Sequence, residues 1–167
     1  MDAAPDSEDA IAALKAWDVP YLDVSDSGRL PARRDPAWMA AALIVSSAPR
    51  VRLAVTAFYL KNPGEAASVQ SALPVLQPKA ALLLKYYYTA AVYLEQYWRS
   101  ALNRSGQKPL PDLFSRELGL PSPQALHGRF GLYHLEEKLR LHAGEALDFR
   151  SSFEAIALLQ IKPAAHA

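Results

Sequence analysis

Arg129 and His134 are the two residues of this 167-residue chain whose types and spacing best suit catalysis. An imidazole can move a proton while a guanidinium neutralises a phosphate oxygen, so such a pair could act on a phosphodiester without a metal. Residues five apart on one helix point about 140° away from each other. The two side chains can therefore meet only if Arg129 lies outside the helix, which a break at Gly128 and Gly131 would permit, or if a homodimer supplies a second copy of both residues.

The segment that contains this pair, Arg129-Phe-Gly-Leu-Tyr-His134, resembles the R-x4-6-H element of the HEPN ribonucleases. The resemblance implies a small all-α bundle in which Arg129 and His134 cleave RNA without a metal. The segment departs from the family pattern at Phe130, where a polar residue is usual. The alternative interpretation is that Arg129 is a solvated turn residue and His134 is an ordinary surface histidine.

Other kinds of chemistry find little support in the sequence. His127, His134 and His142 are seven and eight residues apart, whereas two metal ligands on one helix need a spacing of three or four. The chain has no cysteine, which excludes disulfides, thiol nucleophiles and thiolate metal sites. It also has no glycine-rich phosphate loop and no nucleophile elbow. We therefore expect no metal and no cofactor.

The charges are distributed unevenly along the chain. Residues 1–26 hold seven acids and one lysine, a balance of −6, and residues 27–108 hold eleven basic residues and three acids, a balance of +8. A basic centre can attract nucleic acid or an acidic protein, and the acidic arm can cover it intramolecularly. The basic residues predicted to bind nucleic acid are Arg33, Arg34, Arg50, Arg52, Lys85 and Arg99.

Aromatic residues accompany this basic centre, with tyrosines at positions 86, 87, 88, 93 and 97 and Trp98 after them. They could form a platform on which bases stack. However, three successive residues cover about 200° of a helix surface and cannot form one platform. The favoured interpretation is that these rings fill a core and place their hydroxyl groups at its edge.

The elements that must position these residues are helices. Residues 79–105 contain mostly good helix formers, follow Pro78 and precede Gly106, which predicts one long helix that is apolar nearly all round. Before it, short helices are predicted to start at Pro36, Pro49 and Pro63, with Asp35 as a cap and Asn62 and Glu65 at capping-box spacing. The expected fold is all-α, an irregular multi-helix bundle around the long central helix.

The predicted organisation is an acidic N-terminal arm and linker over residues 1–34, a helical bundle domain over residues 35–162 and a tail over residues 163–167. The acidic N-terminus is no secretory signal, and no apolar run is long enough to span a membrane, so we expect a cytoplasmic protein. The predicted function is that of a non-enzymatic interaction or regulatory subunit that binds a protein partner or nucleic acid. The alternative is the ribonuclease.

Overall fold

A computed structural model describes residues 7–21, 32–102, 108–144 and 149–161. Within these ranges the chain forms helices and connecting segments and no strand, which confirms the predicted all-α bundle. The described α-helices are α1 Ser7–Ala16, α2 Pro36–Ile44, α3 Pro49–Lys61, α4 Ala67–Ala72, α5 Pro78–Tyr97, α6 Arg129–Ala143 and α7 Phe149–Ile161. The predicted tail, residues 163–167, lies outside the described residues.

Proline sets the start of three of these helices. Pro36, Pro49 and Pro78 each occupy the first turn, where the missing N–H has no intrahelical acceptor to lose. Asp35 caps α2 as predicted, since its carboxylate accepts the Trp38 backbone N–H at 3.0 Å.

The helix predicted after Pro63 is divided into three short pieces. A 3-10 turn, Pro63–Glu65, precedes α4, and a second, Leu73–Val75, follows it. The predicted capping box does not form, since the Asn62 side chain makes no cap hydrogen bond at this turn. Its amide N–H donates to the Phe58 carbonyl oxygen at 3.1 Å, at the end of α3.

The centre of the bundle is α5, which contacts α2, α3, α4, α6 and α7. Every residue from Tyr86 to Glu95 is buried. Against α3, the Thr56 hydroxyl donates to the Tyr87 carbonyl oxygen at 2.8 Å, and the rings of Tyr59 and Tyr88 pack edge-on with centroids 5.2 Å apart. A helix that is apolar all round is thus packed from several sides.

The central helix ends at Tyr97, earlier than the predicted residue 105. Trp98 leaves helical geometry at φ −104° and ψ 17°, and residues 98–102 form turns. The buried carboxylate of Glu95 accepts the backbone N–H of Leu110 at 2.6 Å. The chain must therefore turn back soon after Tyr97 so that Leu110 can reach the last turn of α5.

The segment after Leu110 forms hydrogen-bonded turns. The Asp112 carboxylate accepts both the backbone N–H and the hydroxyl of Ser115, and Leu120 N–H donates back to the Ser115 carbonyl oxygen at 2.8 Å. With Gly119 in the left-handed region at φ +67°, this is a Schellman closure after a single turn. Gly119 therefore ends this turn, and residues 112–118 form no helix.

Helix α1 belongs to the core, although the sequence prediction assigned it to the acidic arm. Ala10, Leu14 and Trp17 are buried, and the Trp17 ring packs edge-on against Phe58 with centroids 5.4 Å apart. The Trp17 indole N–H also donates to the Arg34 carbonyl oxygen at 3.0 Å. Residues that precede the predicted boundary at residue 34 thus contribute to the core.

Among the described residues, no helix combines the length and hydrophobicity that a membrane span requires.

Candidate interaction surface

Helix α6 carries both residues of the predicted catalytic pair. Arg129 is the first residue of this helix and His134 lies further along it, so the two side chains project about 140° apart. Arg129 lines a small pocket beside Tyr97, whereas the His134 ring packs edge-on against Phe130 with centroids 4.4 Å apart. Within one chain, the structure does not bring Arg129 and His134 together.

Two glycines set the position of α6 against α5. A Cβ atom on Gly128 would lie 2.3 Å from the Tyr93 carbonyl oxygen, and one on Gly131 would lie 2.3 Å from the Tyr93 ring. Gly128 also has φ +83°, which favours glycine, and it precedes the first residue of α6. The predicted break is therefore present at Gly128, while Gly131 lies inside the helix and allows the close approach of Tyr93.

The side of α6 that faces the bundle is apolar and covered. Leu135 and Leu139 are fully buried. The Lys138 ammonium group donates to the Leu118 carbonyl oxygen at 3.1 Å, which ties α6 to the turns that precede it. The Tyr93 hydroxyl donates to the Pro121 carbonyl oxygen at 2.8 Å and fixes those turns to α5. The orientation of α6 is thus set by packing and hydrogen bonds on this one side.

The opposite side of α6 is also apolar, but it is exposed. Phe130 is 43% exposed, Tyr133 68% and Leu141 69%, and we call these three residues the α6 face. At 100° per residue they lie within about 80° of one another, on the side away from Leu135 and Leu139. The exposed Glu137 lies within the same sector. Solvent-exposed aromatic and aliphatic side chains in one cluster are typical of an interaction site.

A pocket of about 70 Å³ adjoins this face between α5, α6 and α7. Its lining combines an apolar floor with one guanidinium and two carboxylates: Tyr97, Arg129, Leu132, Tyr133, Glu136 and Glu154. Tyr133 belongs to both the pocket and the α6 face. Pockets beside exposed aromatic residues are the places where partner side chains anchor most strongly.

The sequence prediction did not include the α6 face. Phe130 entered it only as a departure from the ribonuclease pattern. The signal is present in the sequence, because a projection at 100° per residue puts Phe130, Tyr133 and Leu141 opposite Leu135. Their exposure, however, depends on which side of α6 the rest of the chain covers.

The six cations predicted to bind nucleic acid are distributed over several elements, and they interact with other groups of the chain. The Arg33 guanidinium lies 3.8 Å from the Trp17 ring centroid, Arg34 pairs with Asp9 at 3.9 Å, and Lys85 pairs with Glu117 at 2.6 Å. Arg50 interacts with the Tyr21 hydroxyl, and Arg99 also has an interaction partner within the chain.

Arg52 differs from the other five cations because it is buried. Its guanidinium donates to the Ser46 carbonyl oxygen at 2.7 Å, just after the end of α2. The Arg52 guanidinium therefore satisfies a backbone acceptor at the α2–α3 turn. Because it is buried, a phosphate has little access to it.

The tyrosines of α5 fill the core and do not form a stacking platform. Tyr86, Tyr87, Tyr88 and Tyr93 are buried, and the Tyr88 hydroxyl donates to the Pro111 carbonyl oxygen at 2.8 Å. Burial is the main factor that raises the pKa of the Tyr88 and Tyr93 phenols well above the ordinary value. Tyr97, by contrast, is exposed and packs edge-on against Trp98.

The histidines do not form a metal site in the described structure. No group of three histidine, aspartate or glutamate side chains in the described ranges is arranged to hold a metal ion. His142 is exposed near the end of α6, and the side chain of His127 is outside what the structure describes.

Comparison with known proteins finds no match to this chain among family models, curated proteins or solved structures. The resemblance of residues 129–134 to the ribonuclease element therefore stays a prediction.

Proposed function

We propose that this chain is a non-enzymatic helical interaction or regulatory subunit that binds a protein partner through the α6 face. The observation that carries the proposal is the exposure of Phe130, Tyr133 and Leu141 on a helix whose other side is buried in the core. Burial of one such side chain contributes about 1.5–3 kcal/mol. Burial of all three side chains by a partner therefore stabilises the complex by several kcal/mol, a contribution that is absent from the folded monomer.

The composition of the surface supports a protein as the partner. Charges of both signs accompany the apolar residues on α6, which also carries Arg129, Glu136, Glu137 and Arg140. Protein interfaces commonly combine an aromatic centre with a mixed polar rim, whereas nucleic acid requires a surface dominated by positive charge. The cations of the basic centre interact within the chain, which favours a protein partner over nucleic acid.

The ribonuclease alternative would need Arg129 and His134 to act together, and within one chain their side chains diverge along α6. It makes a clear claim nonetheless. Metal-independent cleavage of RNA by the full chain that disappears in His134→Ala would contradict the non-enzymatic assignment.

Capture from a lysate of the native host tests the proposal. The baits are the full chain, Tyr133→Asp, Leu141→Asp and a control, Val75→Asp, whose position is 76% exposed on a different element. We expect the same partner to bind the wild type and Val75→Asp and to be lost with both α6 variants, because a buried carboxylate is costly in an apolar interface. Circular dichroism establishes that each variant is folded. Equal recovery with all four baits would contradict docking on the α6 face.

The same baits can be tested for nucleic-acid binding by fluorescence anisotropy with labelled RNA and DNA at two salt concentrations. Binding that weakens steeply with salt and persists in Tyr133→Asp would indicate phosphate contacts made elsewhere. That result would favour the nucleic-acid hypothesis over a protein partner.

A further inference from the structure

The exposed side of α6 contains a pattern that is complementary to itself. Phe130, Tyr133, Glu137 and Arg140 are spaced by three, four and three residues, which is the spacing of a seam between two paired helices. All four are exposed. The N-terminal half of this seam is aromatic, and the C-terminal half is charged.

From this pattern we propose that the partner at the α6 face is a second copy of this chain, with the two α6 helices packed antiparallel across a two-fold axis. The inference rests on the proposed function, because it names the occupant of the same surface. In an antiparallel pair, the N-terminal half of each seam lies against the C-terminal half of the other. The two-fold axis passes at the level of Leu135, close to the middle of α6.

This arrangement gives each exposed apolar residue a neighbour. Phe130 lies at the level of Arg140 of the second copy, whose guanidinium is near its ring face, and beside Leu141 of that copy. Tyr133 lies against Glu137 of the second copy, whose carboxylate accepts the phenolic hydroxyl. Because the axis repeats both contacts, two aromatic–aliphatic contacts and two hydrogen bonds cover the α6 face on both copies.

A parallel arrangement is less complementary. It would place Glu137 against Glu137 and Arg140 against Arg140 of the second copy, so that like charges meet in the seam. Of the two arrangements, only the antiparallel one accommodates a seam with an aromatic half and a charged half.

Sedimentation of the purified full chain tests whether a second copy binds. We expect a concentration-dependent shift from 18.3 kDa toward twice that mass. Tyr133→Asp should weaken self-association at least about tenfold, whereas Val75→Asp should leave it unchanged. A wild type that stays monomeric at every concentration, or a Tyr133→Asp variant that associates as well as the wild type, would overturn the proposal.

Disulfide trapping tests the register, and the chain is well suited to it because it has no cysteine of its own. Phe130→Cys and Leu141→Cys proteins are mixed and oxidised under mild conditions. The antiparallel register predicts the mixed disulfide between the two variants. Two thiols at position 130 would be separated by about 15 Å along the helix axis and two at position 141 by about 18 Å, too far for a disulfide. Predominant formation of the two like pairs would indicate a parallel arrangement and overturn the register.

The outcomes of these experiments and of the lysate capture separate the two proposals. A monomeric chain that still captures another protein through Tyr133 and Leu141 would overturn the second copy and leave the proposed function intact. A monomeric chain that captures nothing through the α6 face would contradict both.

Discussion

Helices α5 and α6 pack against each other, but they use their apolar residues differently. On α5, all residues from Tyr86 to Glu95 are buried, and five other helices surround it. On α6, Leu135 and Leu139 are buried while Phe130, Tyr133 and Leu141 face outward. The fold thus accounts for the apolar residues of α5 and for only one side of α6. Apolar residues that stay exposed in the folded chain, and so do not contribute to its core, indicate a binding surface.

The largest expected difference between the two helices concerns leucine truncation. Leu94→Ala, on α5, should lower the free energy of unfolding by about 2–5 kcal/mol, because it leaves a cavity in a fully buried site. Leu141→Ala, on the α6 face, should change it by less than about 0.5 kcal/mol in dilute monomeric protein. Urea unfolding of both variants measures the difference. Comparable losses would show that Leu141 belongs to the core and that the contrast between the helices is wrong.

The contact between the two helices gives the next largest effect. Gly131→Ala places a methyl group against the Tyr93 ring and should cost about 1–3 kcal/mol, despite the higher helix propensity of alanine. Gly64→Ala is the matched control, because nothing lies within 4 Å of a Cβ atom at that position. Chemical denaturation compares the two variants. A Gly131→Ala protein as stable as Gly64→Ala would mean that α6 does not approach Tyr93 so closely.

A smaller effect is expected from the buried phenols of α5 at high pH. Burial chiefly raises the pKa of Tyr88 and Tyr93 above the ordinary 10.0 in the folded chain. A raised pKa means that the folded state retains protons which the unfolded state releases. The stability contribution is therefore complete below about pH 10 and decreases as the pH rises further.

Unfolding free energies at about pH 9 and about pH 11 measure this contribution. The decrease should be smaller in the double variant Tyr88→Phe with Tyr93→Phe, which lacks both phenols. An identical decrease in the double variant would attribute the alkaline loss to other groups.

The sequence was sufficient to predict features that depend on local chemistry. Pro36, Pro49 and Pro78 mark helix starts because proline has a fixed φ and no N–H to satisfy, and Asp35 caps α2 because its carboxylate reaches the first free N–H group. Gly144 ends α6 in the left-handed region at φ +64°, a conformation that favours glycine.

Features that depend on distant contacts were not predictable in the same way. After α5 the chain returns so that the Leu110 N–H donates to Glu95, and the role of Gly131 depends on a ring from another helix. The sequence prediction grouped α1 with the acidic arm because acids dominate its composition, whereas the buried Leu14 and Trp17 determine where it packs. The α6 face belongs to this class, since exposure is a property of the whole fold.

Contact at Tyr133 is the most direct test of the claim that the α6 face binds a protein. A photoreactive phenylalanine analogue is placed at Tyr133 in one sample of the full chain and at Val75 in another, and both are irradiated in a lysate of the native host. We expect a discrete protein adduct from position 133 and none from position 75, since both positions are exposed but only the first lies on the α6 face. The absence of an adduct at position 133, or the same adducts at both positions, would contradict it.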